Sequence, residues 1–174
     1  MCTVNGELSI LYTLRSVHLQ YGRGEISFPG GMMDDSDKTL TETALRETHE
    51  EIGLPTSSID VWGSMLPLTD SQATRQITPV ISYCGEIEPS SMQFNKNEVS
   101  LVFTRTIAQL CQPYLQGTTQ FRTGYTLPIY LGKPQRIWGL TALTTHQFLS
   151  LLAPENYKFK LQHQRPLLGT KAKE

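Results

Sequence analysis

The sequence predicts an α/β fold, one domain in which a mixed β-sheet is accompanied by two principal helices. Three observations predict it. Short β-favouring runs recur along most of the chain, two segments switch to helical periodicity, and 174 residues are enough to bury one hydrophobic core, since single domains commonly run to roughly 100–200 residues.

Residues 7–14, E-L-S-I-L-Y-T-L, mix apolar and β-favouring side chains and stop before Arg15, which reads as a strand followed by a loop. Gly22, Gly24, Gly30 and Gly31 then accumulate around Pro29, the composition of a loop whose backbone can come close to a ligand. From Thr39 to Ile52 the period is helical, with Ala44, Leu45, Thr48 and Ile52 on one face. Asp37 or Thr39 is the N-cap, and Gly53 with Pro55 is the stop. Further β-like runs follow at 59–66, 77–84, 99–105, 125–131 and 135–139, separated by polar or Gly/Pro-containing loops. Leu140, Leu143, Phe148, Leu151 and Leu152 recur near helical intervals over 140–152, and Pro154 closes that helix. The domain is expected to span 1–161, and the basic, polar stretch 162–174 reads as a loose C-terminal tail.

Composition excludes several classes of function. Fifteen Lys and Arg stand against 16 Asp and Glu, a formal charge of -1, which gives no basic footprint for a nucleic-acid partner. No apolar run approaches the roughly 18 residues of a membrane span. Cys2, Cys84 and Cys111 are three dispersed cysteines, suited to free thiols in a reducing compartment, with Cys84 and Cys111 expected to be buried. The start, M-C-T-V-N-G, has neither the basic and apolar regions of a signal peptide nor an Arg-rich leader.

The chemistry gathers at the end of the first helix. Arg46 is followed by Glu47, Glu50 and Glu51, and at about 100° per residue the three carboxylates fall within an arc of roughly 100°, away from the apolar stripe. Like charges at this spacing repel, and the C-terminal turn is where the helix dipole disfavours anions. A solvated acidic face is one reading. A bound divalent cation would reverse the energetics, because Mg2+ and Mn2+ take oxygen ligands from carboxylates, water and phosphates together. The preceding Gly/Pro loop favours the second reading, since it can bring backbone against a metal-bridged phosphate.

The run Gly31 to Leu54, G-M-M-D-D-S-D-K-T-L-T-E-T-A-L-R-E-T-H-E-E-I-G-L, resembles the Nudix box, G-x5-E-x7-R-E-U-x-E-E-x-G-U with U aliphatic. Thr48 stands at the first aliphatic position, one extra residue separates Gly31 from Arg46, and Asp37 takes the place of the first acidic residue. The last two departures resemble the coenzyme A diphosphatase branch. That branch's upstream motif, approximately L-L-T-x-R-S-x3-R-x3-G-x3-F-P-G-G, is similar to L-Y-T-L-R-S-V-H-L-Q-Y-G-R-G-E-I-S-F-P-G-G from Leu11 to Gly31, with Gln20 at the second basic position and Arg23 as its candidate substitute. Tyr125-Thr-Leu-Pro128, Trp138-Gly-Leu-Thr-Ala142 and Leu151-Leu-Ala-Pro154 extend the likeness toward the mitochondrial animal members.

The resemblance implies a Nudix α/β/α sandwich with a mixed β-sheet, and metal-dependent hydrolysis of the pyrophosphate of coenzyme A or an acyl-CoA to 3',5'-ADP and a 4'-phosphopantetheine. It implies Mg2+ or Mn2+ held by Glu47 and Glu51, with Glu50 a third ligand or a water-orienting carboxylate and the Gly31 carbonyl completing the set. Arg46 would position the carboxylates. Glu98, before the run V-S-L-V-F, is either the distant carboxylate that many Nudix enzymes use as ligand or base, or an exposed residue ahead of an edge strand. Arg15, Ser16, Arg23 and Gly30 are the substrate-side candidates, and Trp62, Trp138, Tyr125 and Tyr130 are either core aromatics or stacking surfaces for adenine.

Two alternatives stand beside this reading: hydrolysis of another nucleotide diphosphate such as ADP-ribose, NADH or a capped RNA end, and a non-catalytic nucleotide-binding Nudix module. By the same resemblance the location is mitochondrial, and the N-terminal edge is a short form or fragment, because family members usually carry an earlier strand. The oligomeric state stays open.

Overall fold

The computed structural model describes residues 1–69, 74–122 and 124–163, and its contacts divide the chain into two compact units, Met1–Gln109 and a second beginning at Leu110. In chain order the first contains β1 (Cys2–Val4), β2 (Glu7–Arg15), β3 (Ile26–Ser27), α1 (Leu40–Ile52), β4 (Asp60–Ser64), β5 (Leu68–Thr69), β6 (Gln76–Ile77), β7 (Val80–Tyr83) and β8 (Val99–Thr106). A short helix α2 (Ile107–Leu110) falls at the boundary, followed by β9 (Gln116–Gln120), β10 (Thr126–Tyr130) and α3 (Gly139–Leu152).

In the first unit β2 is the central strand. It pairs with β8 along one edge and with β1 and then β3 along the other, all antiparallel. Ser9 to Thr13 are consequently buried without alternation, the pattern of a strand covered on both faces. Tyr12 stacks on Phe28 and Phe103 with ring centroids 5.3 and 5.5 Å apart, and Cys2, Leu11, Ile52, Val99 and Val102 form the apolar core. The mixed character expected of the sheet is confined to an isolated parallel bridge, Thr3 with Glu86, and every named ladder is antiparallel.

Helix α1 starts and stops where the sequence places its signals. The Thr39 hydroxyl accepts from the Glu42 N–H at 3.1 Å, satisfying an N–H that a helix start leaves open, and the Glu42 carboxylate in turn accepts from the N–H of Lys38, ahead of the cap, at 2.6 Å. At the other end Gly53 takes φ 71° and donates to the His49 carbonyl. The buried face differs from the expected stripe. Ile52 is buried, but Ala44, Leu45 and Thr48 are half-buried while Thr43 and Glu51 are buried.

The second unit pairs β9 with β10 and packs α3 on β10. Its helix buries Ala142, Thr145 and Leu149 rather than the expected leucines, of which Leu151 is 73% exposed. Thr144 and Thr145 satisfy their hydroxyls on the carbonyls four residues earlier, which lets them sit inside. The expected strand over 135–139 reduces to the exchange of backbone hydrogen bonds between Tyr130 and Ile137, because Gly139 already begins α3. Of the proposed tail, Gln162 and His163 are tied to Thr126, whose hydroxyl donates to the Gln162 carbonyl at 2.8 Å and whose N–H donates to His163 Nδ1 at 3.2 Å; residues 164–174 lie outside the described residues.

All three cysteines are free, but Cys2 is the buried one, and Cys84 and Cys111 are only half-buried. Among the described residues no helix is long and apolar enough to cross a membrane.

Candidate active site

Three elements of the first unit deliver charged side chains to one place: the end of β2, the Phe28–Gly31 turn with α1 behind it, and the segment leading into β8. One carboxylate oxygen from each of Glu47, Glu51 and Glu98 lies within 4.8 Å of the others.

Arg46 stands among the carboxylates of α1. Its Nε and Nη2 donate to the two oxygens of Asp37 at 3.0 and 2.9 Å, and Nη1 donates to both Glu47 and Glu50 at 3.0 Å, with Nη2 also reaching the Met32 carbonyl at 3.2 Å. The fork-to-fork contact with Asp37 is the geometry guanidinium and carboxylate favour most. It holds the Asp37 carboxyl well below the ordinary range and drives the arginine further toward its charged form. The like-charge cost anticipated from sequence is thus relieved at Glu47 and Glu50, the two glutamates that Arg46 contacts.

Glu51 is only 3% exposed. The Gly30 N–H donates to its Oε2 at 3.3 Å, and Arg15 Nη1 stands 3.7 Å from its Oε1. Burial outweighs both partners, and Glu47 and Glu98 add repulsion, so its pKa rises to about 7. The outward arc expected for the three glutamates is therefore corrected at Glu51: the Gly30 N–H and Arg15 give the carboxylate polar partners inside, while Glu50 is half exposed at 51%.

Gly31 lies against Glu47 so closely that a Cβ there would come within 2.5 Å of both carboxylate oxygens. A side chain at this position would have to displace the Glu47 carboxylate.

Arg15 is aimed by a register shift between Leu14 and Arg15 in the β2–β8 ladder, the kind of bulge that redirects a side chain at a strand end. Its N–H donates to the Glu25 carbonyl, and the next N–H, of Ser16, donates to the backbone carbonyl of Glu98 at 2.8 Å. Ser16 itself is buried, with its hydroxyl accepting from the His18 N–H, so its side chain serves the turn. Arg23 is exposed in the loop that joins β2 to β3. Tyr130 is buried, its hydroxyl 2.5 Å from that of Tyr157, whereas Trp62, Tyr125 and Trp138 are about half exposed.

Glu98 is half-buried and accepts from Asn95 Nδ2 at 3.0 Å. Asn95 was not singled out in the sequence, nor was Asp37 as the partner of Arg46. The turn-forming string Asn95-Lys-Asn-Glu98 was the available signal for the first; eight intervening positions of loop and helix hid the second. The Arg75 guanidinium lies 5.6 Å from the ring centre of Tyr21 in the upstream loop.

A divalent cation fits this donor set. The converging atoms are all hard oxygens, and Arg15, 3.7 Å from Glu51, does not offset the burial of that carboxyl.

Comparison with known proteins gives a consistent result. The family model described as NUDIX domain matches residues 1–113. The chain is 44% identical to the mitochondrial coenzyme A diphosphatase NUDT8 of Homo sapiens, covering 92% of this chain and 70% of that protein. It is 40% identical to Nudix hydrolase 3 of Caenorhabditis elegans, covering 92% and 74%. Among solved structures, the M. smegmatis Nudix hydrolase RenU aligns over 63% of this chain and 67% of its own with a TM-score of 0.50 at 21% identity, a likeness of fold.

Proposed function

The chain belongs to the Nudix hydrolase family, and from that premise we propose that it hydrolyses the pyrophosphate bond of coenzyme A or an acyl-CoA, releasing 3',5'-ADP and a 4'-phosphopantetheine. The observation that carries the chemistry is the convergence of Glu47, Glu51 and Glu98 beside the Gly30–Gly31 backbone. The substrate rests on the coenzyme A diphosphatases to which the chain is 44% identical over most of its length.

Glu47 and Glu51 are the principal ligands for Mg2+ or Mn2+, with Glu98 and the Gly31 carbonyl beside them. Such an ion, when bound, neutralises phosphate oxygens and makes a coordinated water more acidic. Arg46 fixes the carboxylates through its contacts to Glu47, Glu50 and Asp37. Glu50, on the exposed side, and Glu98, facing Glu51 from another element, are the two candidates to orient or deprotonate the attacking water. Arg15 already stands at the edge of the cluster and is suited to a phosphate oxygen, with the Gly30 backbone lining the same side and Arg23 in the adjoining loop. The mitochondrial location of the human and mouse relatives is proposed for this chain as well.

The test is product analysis by mass spectrometry after incubation with coenzyme A in H2 18O, with and without Mg2+ or Mn2+. Metal-dependent 3',5'-ADP and 4'-phosphopantetheine are expected, one of them labelled. Glu51→Gln should lower turnover by at least about a hundredfold, the scale on which losing a principal electrostatic or metal-holding group acts, with the circular dichroism spectrum unchanged. Near-normal turnover of that variant at saturating Mg2+ would remove Glu51 from the mechanism, and intact coenzyme A beside hydrolysed ADP-ribose or NADH would move the enzyme to another nucleotide diphosphate.

A further inference from the structure

Asn95 touches both arms of the acidic site. Its backbone N–H donates to the carbonyl of Glu51 at 2.9 Å, while its side-chain Nδ2 donates to Glu98 Oε1 at 3.0 Å. Its own carbonyl accepts from the N–H groups of Glu98 and Val99 at 3.0 and 2.8 Å. The amide cannot be turned over without loss, because Oδ1 accepts from the Asn97 N–H at 3.1 Å. Flipping it would set N–H against N–H and oxygen against carboxylate. One residue therefore clasps the C-terminal turn of α1, which carries Glu51, and at the same time the carboxylate of Glu98.

We infer that Asn95 is a positioning residue for the proposed reaction: its amide commits one oxygen of Glu98, so that the other is presented toward Glu47 and Glu51 for a divalent cation or the attacking water. The choice of a neutral donor matters. Arg46 already contributes a full positive charge to Glu47 and Glu50, and a second cation on Glu98 would compete with a metal ion for the same negative potential. An amide orients the carboxylate and leaves its charge in place. This inference rests on the reading of Glu98 as part of the site, and partners of this kind commonly change metal affinity or activity by roughly 10–100-fold when removed.

Asn95→Ser keeps an oxygen able to accept from the Asn97 N–H in a turn but is too short to donate to Glu98. In the full chain without substrate, Mn2+ binding followed by electron paramagnetic resonance should weaken about tenfold. With coenzyme A at saturating Mn2+, kcat should fall by about the same factor while KM stays within about twofold. In a Glu98→Gln background the substitution at Asn95 should add little, since the carboxylate it orients is gone. Should Asn95→Ser fail to fold, Asn95→Asp keeps size and the acceptor for Asn97 while removing the donor to Glu98, and is expected to lower kcat likewise. Unchanged Mn2+ affinity and kcat in folded Asn95→Ser would overturn the inference, as would an equal loss with and without Glu98. Unchanged Mn2+ binding and turnover in Glu98→Gln alone would overturn the reading of Glu98 on which the inference stands. The Mn2+ titration uses no substrate, so a wrong substrate assignment would leave its outcome untouched.

Discussion

The carboxyl of Glu51 is held in the protein by one N–H at 3.3 Å and an arginine at 3.7 Å, which is little for a group only 3% exposed. Its pKa of about 7, against an ordinary 4.5, means that the folded chain binds this proton more tightly than the unfolded chain. The resulting stability is fully present below about pH 4.5 and is lost as pH rises through about 7, a difference of about 3 kcal/mol at ~1.4 kcal/mol per pH unit. Glu51→Gln should therefore be more stable than the parent at pH 8 in the presence of a chelator, and the gap should close toward pH 4.5. Urea unfolding at the two pH values measures it, and a pH-independent gap would contradict a strained carboxylate. Greater stability of Glu51→Gln together with its lower turnover would mark Glu51 as retained for chemistry. The sequence was informative about which residues of α1 come together, since Arg46, Glu47, Glu50 and Glu51 share neighbouring positions on one helix. It could not report the burial of Glu51, which depends on a Gly30 N–H and an Arg15 side chain brought from distant segments. Asp37 and Asn95 were hidden for the same reason: loops have no period from which to read a contact.

Among the elements, α1 was legible because its signals are local: a threonine cap, a helical run and a glycine stop. Those ends also differ in what they tolerate. Thr39→Ala should cost about 1 kcal/mol, the usual value of an N-cap hydroxyl. Gly53→Ala should cost more, because Gly53 combines a φ of 71° with a Cβ position 2.9 Å from the Gln93 carbonyl oxygen, where both strain and a clash with backbone arise. Thermal unfolding of the two variants gives the ranking, and equal losses would contradict the close packing of 93–95 on the helix end. β2 and β8 were legible from β-favouring apolar runs. β9 was not, since Q-G-T-T-Q has almost no apolar signal and is a strand only because β10 lies beside it. The leucines of α3 misled, because its threonines bond their own helix and can be buried in their place.

For the molecule as a whole, the family match ends at residue 113, close to the boundary at Gln109, so the features that define the family and the proposed chemistry lie in the first unit. The second unit carries buried side chains of its own, in which the Tyr157 hydroxyl links Tyr130 and His146. Burial pushes the Tyr157 phenol up to about 12 and the His146 imidazole down, so both stay uncharged at neutral pH. In the first unit a Glu51 with a pKa of about 7 would make loading of the proposed ion an acid–base event. Near pH 7 an ion that engages this carboxylate displaces a fraction of a proton into solution. The heat of Mn2+ binding at pH 7 should then differ between phosphate and Tris, whose ionisation enthalpies differ, and the apparent affinity should weaken on acidification. Identical heats in the two buffers would mean that Glu51 enters the complex already ionised.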